Sequence, residues 1–287
     1  MDLRTAIRLR RSVRRYVAQP VPQDLLDRLA AVAQEADHLV RPGVRVERVD
    51  GRERVAGVLA RYAGVYGLVQ GAPHLLVGLI PEDVPENRID LGYVLEQVVL
   101  EATRLGLATC WMTGSYHPDR AARAIPLRPG EQVAAVVALG YARVDPLARL
   151  HDTVVRRVVA AHRRLSLTEI VFGGRWGVAW SPEEADPALV EVLECARLAP
   201  SARNRQPWRF VVEGGAIHLA LTILAPIDAG IVMAHVALSA RELGRVGRWR
   251  LRWADEALAR RLGFPLGVVA VGTFRGLRMS EPASGPR

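Results

Sequence analysis

The chain has 287 residues, 50% of them hydrophobic and 24% charged, so it has ample apolar material to offset ordering entropy, and disorder is excluded for most of its length. Its 39 basic residues are all Arg and face 30 acidic ones, a formal charge of +9, so any anion site must grip with planar guanidinium groups. The arginines are interleaved with Asp and Glu, which argues against nucleic acid as a partner; the two cysteines, Cys110 and Cys195, exclude a disulfide scaffold, and no His or Cys cluster has zinc spacing.

The N-terminus, MDLRTAIRLRRSVRRY, is charged throughout and lacks the apolar centre of a signal peptide. No stretch approaches the ~18 apolar residues of a membrane span, so a cytoplasmic protein without a membrane partner is expected. In RRSVRRY (10–16), Arg10, Ser12 and Arg14 stand two residues apart. In an extended backbone they would converge on one phosphate; the plainer alternative is a solvated helix end. An amphipathic helix is predicted over PQDLLDRLAAVAQEA (22–36), opened by Gln23 or Asp24, and a strand over PHLLVGLI (73–80). Asp90 opens LGYVLEQVVLEATRLGL, a helix apolar on nearly all sides and therefore central, and VAAVVALGY (133–141) reads as a strand.

Beyond a seam near residues 155–170, Ser181-Pro182-Glu183-Glu184 looks like a helix start, with DPALVEVLECARLA forming the helix. The segment APSARNRQPW (199–208) is held between two prolines and is dense in neutral hydrogen-bonding groups, a composition suited to a flat heterocycle with carbonyls and ring nitrogens. Strands follow at Trp208–Val212 and AIHLALTI (216–223). Asp228 opens a second apolar helix, AGIVMAHVALSARELGR, and GVVAVGTF (267–274) is the last strand. The polar end, MSEPASGPR, reads as a frayed tail.

These elements repeat. Asp90 and Gly106 are 16 residues apart, as are Asp228 and Gly244, and Trp111 and Trp249 each stand 21 residues after the Asp. RRSVR (10–14) has a faint echo in RLSLT (164–168). A duplication is expected. Asp90 and Asp228 are read as helix caps or dipole partners rather than catalytic groups. His74, His218 and His235 are read as satisfied core histidines, while His117 and His151 lie in loops with no metal-spaced partner. Cys110 is expected to fill core space.

On these residues the chain resembles the FMN-dependent nitroreductase family. RRSVRRY is similar to its R-x-S-x-R phosphate motif, APSARNRQPW to its P-S-x-x-N-x-Q-P-W flavin loop, LEQVVLEATRLGLATCWMTG (95–114) to its central helix and following loop, and EQVAAVVALGYA (131–142) to its late strand. The resemblance implies an α+β fold, a three-layer α-β-α sandwich. It also implies FMN, a reduced nicotinamide (NADH or NADPH) as hydride donor, a ping-pong cycle through flavin N5, and a planar electron-poor small-molecule acceptor of nitroaromatic or quinone type. No side chain is assigned as catalytic acid, base or nucleophile, and no metal is expected.

Ordinary members are homodimers that share each FMN between subunits. Here the first half has R-x-S-x-R but reads AQEADHLVRPGVRV where the flavin loop belongs, while the second half has the loop but Thr168 in place of Arg14. The resemblance therefore points to the TM-type, single-chain branch: two tandem degenerate repeats, 1–160 and 161–279, forming an intramolecular pseudo-dimer with a tail at 280–287. One FMN per chain and a monomer are expected. Carried over residue by residue, Arg10, Ser12 and Arg14 would hold the phosphate, joined by Arg149, with Arg11 near the ribityl chain or ring. Pro200, Ser201, Ala202 and Asn204 would line the flavin, and Gln206 would orient the loop. Met112, Thr113 and Gly114 would present a backbone N–H to N5. The family's Asn and Lys contacts have no match in AGVYGLVQGAP (63–73). The alternatives are a non-catalytic flavin or planar-ligand binder and a flavin-consuming or dehalogenating relative.

Overall fold

A computed structural model of the chain describes residues 1–40, 43–59, 69–144 and 163–276. Arg149, His151, part of the seam and the tail lie outside the described residues.

The first half carries α1 (Leu3–Leu9), α2 (Gln23–Glu35), β1 (Arg45–Asp50), α3 (Arg52–Val58), β2 (His74–Ile80), α4 (Pro85–Arg104), β3 (Ala108–Met112), α5 (Pro118–Arg123) and β4 (Gln132–Gly140). The second half carries α6 (Leu167–Ile170), β5 (Val171–Gly173), α7 (Pro187–Arg197), β6 (Trp208–Glu213), β7 (Ala216–Leu221), α8 (Pro226–Glu242), β8 (Arg248–Leu251), α9 (Glu256–Leu262) and β9 (Val269–Arg275). The strands form two sheets, ordered β1-β2-β4-β3 and β5-β6-β7-β9-β8. Apart from β5, which runs parallel to β6, all pairings are antiparallel. With β5 set aside, both sheets follow one rule: the second strand pairs with the first and the fourth, and a long helix precedes the third.

Those long helices, α4 and α8, lie in the main apolar core with the inner faces of both sheets. Each contains a glycine in mid-helix, which costs about 1 kcal/mol relative to Ala. Packing explains both. A methyl group on Gly92 would stand 2.2 Å from the Ile227 carbonyl oxygen, and one on Gly230 would stand 1.9 Å from that of Ile89. Each helix thus presses its glycine against the backbone of the other, and the Asp-x-Gly pattern marks this reciprocal crossing.

The outer face of the first sheet is covered by α3 and α5, whose Val55, Val58 and Ala121 pack on Val49, Leu75, Leu79 and Val136. On the second sheet, α9 packs Leu258 and Leu262 over Val211 and Ala270. The difference follows from the connections. β1 and β2 are joined by residues 51–73, which include α3, whereas β6 and β7 are joined by Gly214-Gly215, both with positive φ, as a tight hairpin requires.

Three expectations need correction. The helix start expected at Ser181 is a single 3-10 turn, Pro182–Glu184; α7 begins at Pro187, with the Asp186 side chain accepting from the Ala188 N–H. Asp90 is the sixth residue of α4 and Asp228 the third of α8, so neither caps its helix. Pro85 and Pro226, pre-set for a first helical turn, open these helices upstream of the apolar runs.

Candidate active site

The site begins where α1 ends. Arg10 caps the helix, and residues 12–17 run extended, pinned by backbone hydrogen bonds. The Val13 N–H donates to Thr109 O of β3 at 2.9 Å, the Gln70 N–H to Arg14 O at 2.8 Å, and the Val17 N–H to Tyr141 O at 3.0 Å. Val13 is buried, and the alternation of an extended chain places Ser12 and Arg14 together on the other side. Arg10 is half-buried, its Nε is hidden without a partner, and burial pulls its pKa down against the raising influence of Glu96.

The facing wall is the 199–208 loop. Arg203, Asn204 and Gln206 have φ of 53°, 54° and 48°, three left-handed non-glycine residues within four positions. Such strain persists only where surroundings over-determine it. Here the Asp228 carboxylate accepts the Ala202 N–H at 3.1 and 3.2 Å, and Ser201 Oγ accepts the Gln206 N–H at 2.9 Å. The Asn204 amide donates to Arg163 O at 2.8 Å, and Gln206 Oε1 accepts the Leu165 N–H at 2.9 Å. Arg164 donates to Ala199 O, Asn204 Oδ1 and Leu198 O at 2.9, 3.0 and 3.2 Å. Burial, with Arg10 nearby, brings the Arg164 pKa down to about 10.

Between these walls lies a cleft enclosing about 110 Å³, lined by Ser12, Arg14, Trp111 and Thr113 from the first half and Pro200, Ser201, Ala202, Arg203, Asp228 and Ile231 from the second. Thr113 and Ala202 are exposed at its mouth. Six of the expected residues therefore meet: Ser12, Arg14, Thr113, Pro200, Ser201 and Ala202. Arg11 points to solvent, Gly114 is exposed beyond Thr113, and Met112 buries its side chain in the outer core of the first sheet. Asn204 and Gln206 turn their amides to residues 163–165 and latch the loop.

Trp111 and Asp228 enter the site by routes the sequence hid. The Trp111 indole donates to Glu96 Oε2 at 2.7 Å, and Glu96 Oε1 meets His235 Nε2 at 2.9 Å. His235 Nδ1 contacts Cys195 O at 2.9 Å, so Nδ1 is the donor and the buried Glu96–His235 pair shares one further proton. This pair joins α4 to α8 behind the cleft. Burial pushes the Asp228 pKa up to about 7, opposed by the Ala202 N–H and Arg205. Asp90 makes corresponding contacts in the first half, accepting from His38 Nδ1, Leu39 N and Val44 N at 2.8, 2.6 and 3.4 Å. Both carboxylates hold loop backbones rather than cap their helices, and Asp228, in the first turn of α8, also keeps the dipole position expected of it. The Asp-to-Gly repeat was the available signal. In the second half, Ser166 is committed to a capping box with Glu169, and Thr168 Oγ1 contacts Ser166 Oγ at 2.9 Å.

The mixed helix-and-sheet architecture is that of the nitroreductases. A putative nitroreductase from Thermotoga maritima superposes with a TM-score of 0.61 at 21% identity, covering 97% of this chain and 95% of its own. A nitroreductase family protein from Clostridium novyi gives 0.44 at 18% identity, over 65% and 99%. An FMN-bound nitroreductase from Bacteroides fragilis gives 0.42 at 21%, over 50% and 89%. No curated protein matches the chain. The model of the family described as "Putative TM nitroreductase" matches residues 2–240, so the chain belongs to that family.

Proposed function

We propose that the chain is a nitroreductase-like oxidoreductase holding one FMN, in which the halves 1–160 and 161–279 take the places of two subunits and no second chain is needed. The observation that carries this reading is that one cleft is lined by Ser12 and Arg14 from the first half and by Pro200, Ser201 and Ala202 from the second. The residues fit the group. Arg10 carries an orphaned buried Nε, and its charge bears on Arg164, which donates to the loop that forms the facing wall. A flavin mononucleotide exceeds the enclosed volume, so part of it would rest at the open mouth.

Arg10, Ser12 and Arg14 would hold the phosphate, with Arg149 as a further ligand and Arg11 near the ribityl chain. Pro200, Ser201, Ala202 and Asn204 would flank the flavin, Gln206 would brace their loop, and Met112, Thr113 and Gly114 would offer a backbone donor at N5, where it favours negative charge. FMN, when bound, supplies hydride transfer from NADH or NADPH to a planar electron-poor acceptor of nitroaromatic or quinone type. The carboxyl of Asp228 holds or releases a proton at the cleft wall near neutral pH. Glu96 fixes the Trp111 ring at the same wall.

The test is the flavin-to-chain ratio after loading with FMN and removing the excess, followed by anaerobic addition of NADH or NADPH. A ratio near one, with bleaching of the flavin absorption and a monomeric sedimentation coefficient, is expected. A ratio near two refutes the single site, and absence of bound flavin refutes the cofactor.

A further inference from the structure

His218 does not behave as a satisfied core histidine. It is 1% exposed on β7, its Nδ1 meets Thr273 Oγ1 at 2.9 Å, and its Nε2 has no hydrogen-bond partner; the nearest acceptor, Glu213 Oε2, is 3.7 Å away. A buried ring nitrogen left unpaired costs about as much as a lost hydrogen bond. His218 lines a groove of about 640 Å³ on the outer face of the second sheet, roomier than the cleft above.

The groove exists because of the Gly214-Gly215 hairpin. On the first sheet the corresponding connection carries α3 across the outer face beside α5. On the second, α9 is the helix over that face among the described residues, and the sheet beside it is left open. Its floor is His218 and Thr273, and its walls bring together Arg248, Arg250, Arg252, Arg261 and Arg275. Two carboxylates answer them: Asp255 pairs with Arg252 at 2.7 Å, and Glu213 pairs with Arg261. The side chains of Arg248, Arg250 and Arg275 make no ion pair or hydrogen bond with the described residues, and all three residues are exposed. Five guanidinium groups against two carboxylates leave an excess of three positive charges in one concavity. Burial and the charges of Arg261 and Arg275 bring the His218 pKa down to about 4, against the pull of Glu213, so the ring is neutral.

We propose that this groove is a binding site for a small, multiply charged phosphate compound of the diphosphate class, gripped by Arg248, Arg250 and Arg275 and met at the floor by His218 Nε2. Planar guanidinium groups suit phosphate oxygens, and the excess charge matches a ligand carrying about three negative charges. The concave floor, with its buried nitrogen, favours a compact ligand over a nucleic-acid backbone, which would rest on the rim arginines alone. The site lies on residues other than those of the flavin cleft and does not depend on the reading given above.

The test is isothermal titration of the FMN-loaded protein with inorganic pyrophosphate, with His218 followed by two-bond 1H–15N correlation. One saturable site per chain is expected, with a shift of the His218 Nε2 resonance on binding. The exposed double variant Arg250→Ala/Arg275→Ala should weaken binding by about tenfold or more while its unfolding curve stays unchanged. Arg14→Ala should leave pyrophosphate affinity as it was. No saturable binding at millimolar pyrophosphate, or a loss confined to Arg14→Ala, overturns the proposal. So does tight binding of duplex DNA that pyrophosphate fails to displace, which would mark the patch as a backbone-binding surface.

Discussion

Replacing Asp228 by Asn separates the charge of this carboxyl from its hydrogen bond. The group is 5% exposed, and its pKa is pushed up to about 7 by burial, against the Ala202 N–H and Arg205. In the unfolded chain an Asp titrates near 4. The folded value is the higher one, so the native state keeps a proton that the unfolded chain has already released. The stability this confers is complete below about pH 4 and is lost as the pH rises through about 7. One pH unit within that window is worth about 1.4 kcal/mol, so between about pH 5 and pH 7 the group removes on the order of 3 kcal/mol. The Asp228→Asn variant cannot ionise, yet keeps an oxygen for the Ala202 N–H. Urea unfolding of both apoproteins across this range should show the variant gaining on the wild type by about 3 kcal/mol as the pH rises. The subtraction removes every other titrating group, including His218. Parallel curves would mean that Asp228 is ionised in the folded protein throughout, and would remove the proton reservoir from the cleft wall.

Arg14→Ala should weaken FMN binding by about tenfold to a hundredfold, the worth of a charge-assisted hydrogen bond, and Asn204→Ala should weaken it by releasing the loop from Arg163 and Arg164. Thr168→Ala should leave it unchanged; fluorescence titration with FMN decides, and equal losses in all three sink the single-site reading. Gly230→Ala forces a methyl group against the Ile89 carbonyl and should destabilise by about 2 kcal/mol or more, whereas Gly57→Ala, in α3 with no atom near the added carbon, should be neutral or stabilise by up to about 1 kcal/mol. Chemical denaturation of the two variants reads the opposite signs. The lowered pKa of His218 predicts stability that is fully present above about pH 6.5 and lost as the pH falls towards 4, on the order of 3 kcal/mol that a His218→Gln variant would not lose.

Much of the frame was legible because its causes are local. The apolar runs after Asp90 and Asp228 gave the two central helices, and β-rich runs ending in glycine gave the strands at 132–140 and 269–275. Helix starts were misplaced because Pro85 and Pro226 extend each helix upstream of its apolar run, a signal weaker than the Asp that follows. Ser12, Arg14 and the 200–202 stretch were legible as candidates because their composition is hard to explain by packing. Trp111 and Asp228 were not placed in the cleft, because their position there depends on α4 and α8 crossing at Gly92 and Gly230, a contact between residues more than a hundred positions apart. His218 reads as core from its neighbours; only the short Gly214-Gly215 hairpin, which leaves the outer face bare, shows that it faces a groove.

The two arginines at corresponding places in RRSVR and RLSLT show why a single cleft would be live on the proposed reading. Arg164 is fully engaged: it donates to two backbone carbonyls and to Asn204, and so helps fix the strained loop that forms one wall. Ser166, beside it, is bound into its capping box. In the first half Arg10 keeps a buried Nε without a partner, and residues 12–14 are drawn out along β3 rather than folded into a helix start. An unsatisfied buried donor costs about 1–3 kcal/mol, and a bound phosphate oxygen would return that energy. One half thus uses its polar groups to stabilise the fold, while the other leaves them unpaired where an anion can meet them. An exchange of roles, with Arg10→Met tolerated by FMN binding and Arg164→Met abolishing it without loosening the loop, would contradict this division; limited proteolysis at Arg203 and Arg205 reports the loop directly.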